Sequence, residues 1–261
     1  MLMAGQNRMT KIKQWIQYGR EQIGSLLFPS RCPVCDCILE PEELESGIHL
    51  ACESKLYSIQ GAVCMRCGRP LGDSNPHKEY CYDCIGKGDT KESLIEQGKS
   101  LYLYKGAAKQ MMYRFKYSNK QDYAEVFAKE AMKRYGAWMK QRGIDVIVPV
   151  PMYRRKQRRR GYNQAACFAK CLSRQSGIPV DTKLVYRVAD TAPQKGLDAN
   201  ARRNNLKKAF QKGEFVVQYT CAMVVDDIYT TGSTAEAVAR ELKNTGIRQV
   251  YLLTICIGED R

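Results

Sequence analysis

Residues 222–234 read AMVVDDIYTTGST, and no other stretch constrains the chain as strongly. The apolar residues Ala222, Met223, Val224 and Val225 lead into two adjacent carboxylates, Asp226 and Asp227. Thr230, Thr231, Gly232, Ser233 and Thr234 follow, and then a helical pattern, AEAVARELKNTG. An apolar run of strand length, a turn and a helix start, in that order, predict a buried strand that delivers the chain to a helix N-terminus. Backbone N–H groups and the helix dipole at such a turn suit a phosphate. The threonine and serine hydroxyls add donors. The two aspartates cannot hold phosphate, but ionised carboxylates are pure acceptors and suit a diol. A diol beside a phosphate describes a ribose 5-phosphate.

The pattern apolar–apolar–Asp–Asp–apolar–x–Thr–Thr–Gly–x–Thr resembles the phosphoribosyl pyrophosphate (PRPP) motif of type I phosphoribosyltransferases. The resemblance implies that Asp226 and Asp227 meet the ribose 2′- and 3′-hydroxyls. It also implies that Thr230, Thr231, Gly232, Ser233 and Thr234 wrap the 5-phosphate.

The cysteines form a second constraint. Of the twelve, most fall before residue 85, chiefly in C-x2-C pairs. Cys32, Cys35, His49 and Cys52 form one unit; Cys64, Cys67, Cys81 and Cys84 form another, and each ligand has its counterpart 32 positions on. Each unit supplies four N/S ligands at zinc-ribbon-like spacing. The first offers three thiolates and an imidazole, the second four thiolates, so about two structural zinc ions per chain are expected. His49 and the regular spacing suit zinc better than an iron–sulfur cluster. Cys37 and His77 break the repeat and are not expected to be ligands. The repeat favours sequential sites, although spacing alone leaves a cross-braced arrangement open. With little apolar content, such a module would draw much of its folding energy from metal.

Composition sorts the remaining possibilities. The chain has 261 residues, enough for one sizeable core and a small module. No apolar run reaches transmembrane length and no signal-like h-region is seen, so a cytoplasmic protein is expected. The formal net charge is +15, yet residues 30–97 carry 12 acids against 7 bases, which leaves about +20 on the rest. A basic body of that size implies polyanionic partners, nucleic acid or phosphorylated ligands.

The expected organisation is an N-terminal amphipathic helix over 1–29, a double zinc-ribbon-like module over 30–90 and an α/β domain over 98–261. The first helix either packs on the body or meets a membrane or a partner. Helices are expected over 105–117, 122–141, 161–177, 198–209 and 234–245. Strands are expected over 144–150 (IDVIVPV, read as central), 184–188, 223–226 and 249–256. Strands alternating with helices predict a parallel sheet with helices on both faces and ligands at the strand C-termini.

After IDVIVPV comes PMYRRKQRRRGYNQA, with Arg154, Arg155, Lys156, Arg158, Arg159 and Arg160 inside seven positions. This is read as a loop beside the site. In phosphoribosyltransferases the corresponding loop faces the pyrophosphate, where arginine geometry favours bidentate contacts. Six cations exceed what one diphosphate needs, so nucleic acid is a second expected ligand, with Tyr153 and Tyr162 as candidate base-stacking platforms or packing residues.

GYNQA, the segment RVADTAPQKGLDANARRNNLKKAF over 187–210 and the two cysteine units together resemble the ComF family of competence-associated, phosphoribosyltransferase-like proteins. The resemblance covers nearly all of the chain after the first 25 residues or so. It implies PRPP binding with Mg2+, single-stranded DNA as a partner in natural transformation, and a helicase or another DNA-uptake protein nearby. It also makes Thr191, Gln194, Lys195, Arg202 and Arg203 candidate residues of a lid over PRPP. Two other readings stay open: a metabolic phosphoribosyltransferase acting on a base or amine, and a zinc-module adaptor with a vestigial pocket. Nothing in the sequence specifies an acceptor for the ribose.

Overall fold

The structure, a computed structural model, describes residues 29–72, 79–85, 93–189, 209–213 and 218–259. The expected N-terminal helix therefore lies outside the described residues, as do His77, the helix over 198–208 and the five candidate lid residues.

Among the described residues the body is a four-stranded, all-parallel sheet of β1 (Gln97–Leu103), β2 (Val146–Pro149), β5 (Cys221–Tyr229) and β6 (Gln249–Ile257) in the order β1-β6-β5-β2. Two further strands, β3 (Val185–Arg187) and β4 (Phe210–Lys212), form a separate antiparallel ribbon that brackets residues 188–209.

The strands are apolar almost throughout because both faces are covered. Along β5, Met223 and Val225 join one buried cluster while Ala222 and Val224 join the other. The first cluster gathers side chains from α3 (Ala107–Tyr117), α4 (Tyr123–Gln141) and α6 (Gln164–Ser176). The second gathers those of α7 (Ser233–Asn244) and the ribbon. Met223, Val224 and Val225 are fully buried, each contributing roughly 1.5–3 kcal/mol. Helix α6 starts where the Asn163 side chain accepts the Ala165 N–H at 3.1 Å, an N-cap.

One strand sits differently from the expectation. β2 is an edge strand among the described residues, paired with β5 on one side. Its other side is covered over one step by a parallel bridge from Ile147 to Val180. An apolar run reports burial on both faces, and sheet order depends on pairings that the run does not encode.

The two cysteine units are built alike. Antiparallel bridges Arg31–Ile38 and Val63–Pro70 close the two hairpins, and short helices α1 (Leu50–Glu53) and α2 (Tyr82–Ile85) carry the later ligands. The positive-φ corner is Asp36 (67°) in the first unit and Gly68 (76°) in the second. Gly68 is required by contact as well, since a Cβ there would lie 2.4 Å from the Gly98 carbonyl oxygen. Between the units, residues 57–59 run along the open edge of β1: Ile59 N–H donates to Leu101 O at 3.1 Å and Leu103 N–H to Tyr57 O at 2.9 Å. The first unit packs into the cluster of α3 and α4, the second into that of α7, so the repeat straddles the sheet edge.

Candidate functional site

Asp226 and Asp227 stand near the C-terminal end of β5, where the chain turns through 230–232 into α7. The turn depends on Gly232, whose φ is 76° and whose Cβ, if present, would lie 2.3 Å from the Tyr229 hydroxyl. A small cavity opens there, lined by Asp226, Tyr229, the residues of the 230–234 turn and Thr254. Thr230 and Thr231 are exposed, and the Thr231 and Ser233 hydroxyls lie 3.0 Å apart.

The acids differ in environment. The Asp227 carboxylate pairs with Lys116 of α3 at 3.1 Å. Burial first, and then the charge of Asp227, push the Asp226 carboxyl up to about 7. The Asp227 N–H donates to Asp226 Oδ1 at 2.8 Å. The two are therefore not the equivalent ionised acceptors that the sequence suggests: Asp226 is poised between acid and carboxylate near neutrality.

The basic run is a helix, α5 (Arg154–Arg160), and not a loop. From Gln157, whose N–H donates to Tyr153 O, the amides are used within the helix, so backbone donors for an anion are confined to its first turn and the residues before it. Helical spacing sorts the cations. Lys156 and Arg160, one turn apart, are half-buried, whereas Arg154, Arg155, Arg158 and Arg159 are exposed. Burial, then the charges of Arg160 and Arg187, hold Lys156 below the ordinary lysine range. Arg187, at the end of β3, lies over the Phe210 ring at 5.4 Å and influences Asp226 as well as Lys156. A cluster of cations thus stands beside the paired acids.

Tyr162 is not a stacking platform. It is buried, its hydroxyl donates to the Phe115 carbonyl, and its ring meets Phe115 edge-on. The exposed aromatic pair is Tyr113 and Tyr117 on α3, 64% and 55% exposed, with ring centroids 5.0 Å apart. Arg160 covers the Tyr117 ring at 4.9 Å and donates to its hydroxyl at 3.0 Å. Sequence reasoning missed this pair together with Lys116 and Arg187. The i, i+4 spacing of the tyrosines was the available signal; for Lys116 and Arg187 there was none.

The metal centres are sequential. The ligand atoms of Cys32, Cys35, His49 and Cys52 lie within 4.8 Å of one another, as do those of Cys64, Cys67, Cys81 and Cys84. Cys67 and Cys81 sulfurs are 3.6 Å apart, near the roughly 3.8 Å that tetrahedral Zn–S bonds require. His49 presents Nδ1 to Cys35 Sγ at 3.3 Å while Nε2 lies 3.0 Å from the Ile38 carbonyl. That second contact leaves Nδ1 as the metal-facing atom. Both sets fit zinc. Cys37 stays exposed outside them.

An all-parallel sheet with paired acids and a Thr-Gly turn at one strand end, joined to two cysteine tetrads, defines a class: a phosphoribosyltransferase-like α/β domain bearing a double zinc ribbon. The double zinc ribbon domain family matches residues 23–85. Competence protein F of Haemophilus influenzae is 30% identical over 215 residues, covering 80% of this chain and 89% of that protein. The DNA utilization protein YhgH of Escherichia coli K12 is 29% identical (80% and 90% covered), and competence protein ComFC of Bacillus subtilis 27% (80% and 82%). A solved adenine phosphoribosyltransferase aligns over 51% of this chain and 69% of its own, at 18% identity and a TM-score of 0.33. The chain belongs to the competence protein F (ComF) family. No helix among the described residues is long and apolar enough to cross a membrane.

Proposed function

We propose that the protein binds PRPP at the end of β5 and single-stranded DNA on the adjoining basic surface, and that it serves DNA uptake in natural transformation, a reading supported by relatives named competence and DNA utilization proteins. The observation that carries this reading is the placement of Asp226 and Asp227 between the 230–234 turn and the cluster of Lys156, Arg160 and Arg187. The acids take the ribose hydroxyls, the turn takes the 5-phosphate and the cations take the diphosphate. Lys116, 3.1 Å from Asp227 Oδ2, orients that acid toward the site. Among the described residues the two groups of three or more potential ligands are the cysteine tetrads. A magnesium ion would accordingly be bound mainly by the diphosphate and water, supplying charge neutralisation at the leaving group. If transfer occurs, this chain positions the ribose and screens the departing diphosphate, and no side-chain nucleophile is needed.

DNA engages the other side of the same helix. The exposed Arg154, Arg155, Arg158 and Arg159 match a phosphate backbone, and on the neighbouring α3 the exposed Tyr113 and Tyr117, the latter beneath Arg160, offer rings for bases. The deciding experiment is a calorimetric titration of PRPP with and without Mg2+, repeated with single-stranded DNA present. Mg2+-dependent PRPP binding, together with salt-sensitive DNA binding, is expected. No heat with PRPP, or no DNA retention at low salt with zinc loaded, overturns the corresponding half of the reading.

A further inference from the structure

The second zinc unit is fastened directly to the turn that ends β5. Arg69, two residues past Cys67, has a side chain only 3% exposed. Its Nη1 donates to Asp83 Oδ2 at 2.6 Å, and Asp83 lies between the ligands Cys81 and Cys84. Its Nη2 donates to the backbone carbonyl of Thr230 at 2.9 Å. One planar guanidinium thus bridges the zinc unit and the first residue of the 230–234 turn. Lysine, with a single ammonium on a flexible stem, cannot reproduce that fork.

Two further contacts run the same way. Tyr229, immediately before the turn, packs in the buried cluster that holds Cys64, Cys67 and Cys84, and its hydroxyl fills the space that a Cβ on Gly232 would occupy. On the far side of the turn, Glu236 in the first turn of α7 accepts from Ser93 Oγ at 2.8 Å and Leu94 N at 3.3 Å, in the segment leading out of the module. The first unit docks instead through Asp36, which takes Lys120 Nζ and the Tyr123 hydroxyl, both at 2.7 Å, on the opposite face of the sheet.

We infer that Arg69 is a positioning residue through which the second zinc site sets the geometry of the phosphate-binding turn, making PRPP affinity dependent on that metal site and independent of the first unit's anchor. This rests on the proposed PRPP reading. The second unit gives Arg69 its fixed partner, Asp83, and Arg69 in turn fixes the Thr230 carbonyl, so that the following amides keep their aim.

The test uses the full chain with zinc content measured for every variant. Arg69→Lys and Arg69→Met are compared with Asp36→Asn, which loosens the first unit at a corner that asparagine tolerates. Two readouts are taken: PRPP affinity by calorimetry, and hydrogen exchange of the 230–234 amides without ligand. With zinc retained, both Arg69 variants are expected to bind PRPP about tenfold or more weakly, the scale of a lost charge-assisted bond. Their turn amides should exchange faster, and Asp36→Asn should match the unaltered protein in both. Unchanged affinity and exchange in the Arg69 variants, or equal losses in Asp36→Asn, overturn the inference. If the unaltered chain does not bind PRPP, the functional proposal fails separately, and faster exchange alone supports the coupling while unchanged exchange overturns it. Should the Arg69 variants shed zinc, Asp83→Asn is judged by the same two readouts.

Discussion

Asp226 concentrates the conflict between stability and function at a single carboxyl. Its value in the folded protein, about 7, stands above the ordinary 3.8, so the fold prefers the protonated acid. The stability it contributes is fully present below the unfolded value and is lost as pH rises through about 7. Near neutrality the chain therefore bears part of the cost of a buried charge that Lys116 and Arg187 only partly offset, at a position where a ribose hydroxyl would want an acceptor. Asp226→Asn keeps an oxygen for the Asp227 N–H and removes the charge. The variant is expected to be more stable than the unaltered chain at about pH 8, by up to about 4 kcal/mol at roughly 1.4 kcal/mol per unit of raised pKa, with the gain gone by about pH 4, and to lose PRPP binding. Melting curves across that range check the sign. An equal shift at both ends would show that ionisation of Asp226 is not the cause.

Helix α5 turns a run of cations into two surfaces. Lys156, within the field of Asp227, and Arg160, on Tyr117 and Gln164, are half-buried, while Arg154, Arg155, Arg158 and Arg159 are exposed. Replacing those four arginines by glutamine is expected to weaken single-stranded DNA binding and reduce the salt slope by roughly 3, at about 0.7 per lost phosphate contact, with PRPP affinity retained. Lys156→Gln should do the reverse, and salt titrations of both variants against both ligands separate the surfaces. Removing the exposed aromatics by Tyr113→Ala with Tyr117→Ala should cost DNA affinity about tenfold with the salt slope intact, since stacking carries no counterion term. The limits of the sequence are visible at this scale. The strand, acid pair, turn and helix of 222–245 were legible because every determinant is local, and the zinc ligands because their repeat is regular. The helix in the basic run is obscured because its cations occupy nearly every position, so the four-residue spacing of Lys156 and Arg160 does not stand out as a face. Lys116 against Asp227, Arg69 against Thr230 and the edge position of β2 were beyond reach, since each joins residues that only the packed sheet brings together.

At the scale of the molecule, the double zinc ribbon is less an appendage than the wall at one edge of the sheet. Residues 57–59 satisfy backbone groups of β1, and the two units grip opposite faces. A structural zinc ion supplies apparent folding energy on the order of 10 kcal/mol, comparable to the whole stability of an ordinary domain. Chelation should therefore lower the melting temperature of the entire chain and expose the β1 edge to self-association. Light scattering should rise as zinc is withdrawn and fall on its return. Docking can be tested apart from metal binding at Gly68, where a methyl group would meet the Gly98 carbonyl at 2.4 Å. Gly68 also has φ of 76°, so backbone strain contributes to any substitution. Gly61 supplies the control: its φ is 73°, and a Cβ there meets nothing within 4 Å. Gly61→Ala should cost about 1 kcal/mol from conformation alone, and Gly68→Ala roughly 2 kcal/mol more from overpacking against a backbone that cannot yield. Equal losses, with zinc retained in both, would mean that the second unit can shift on the strand and that its contact with β1 does not close the edge.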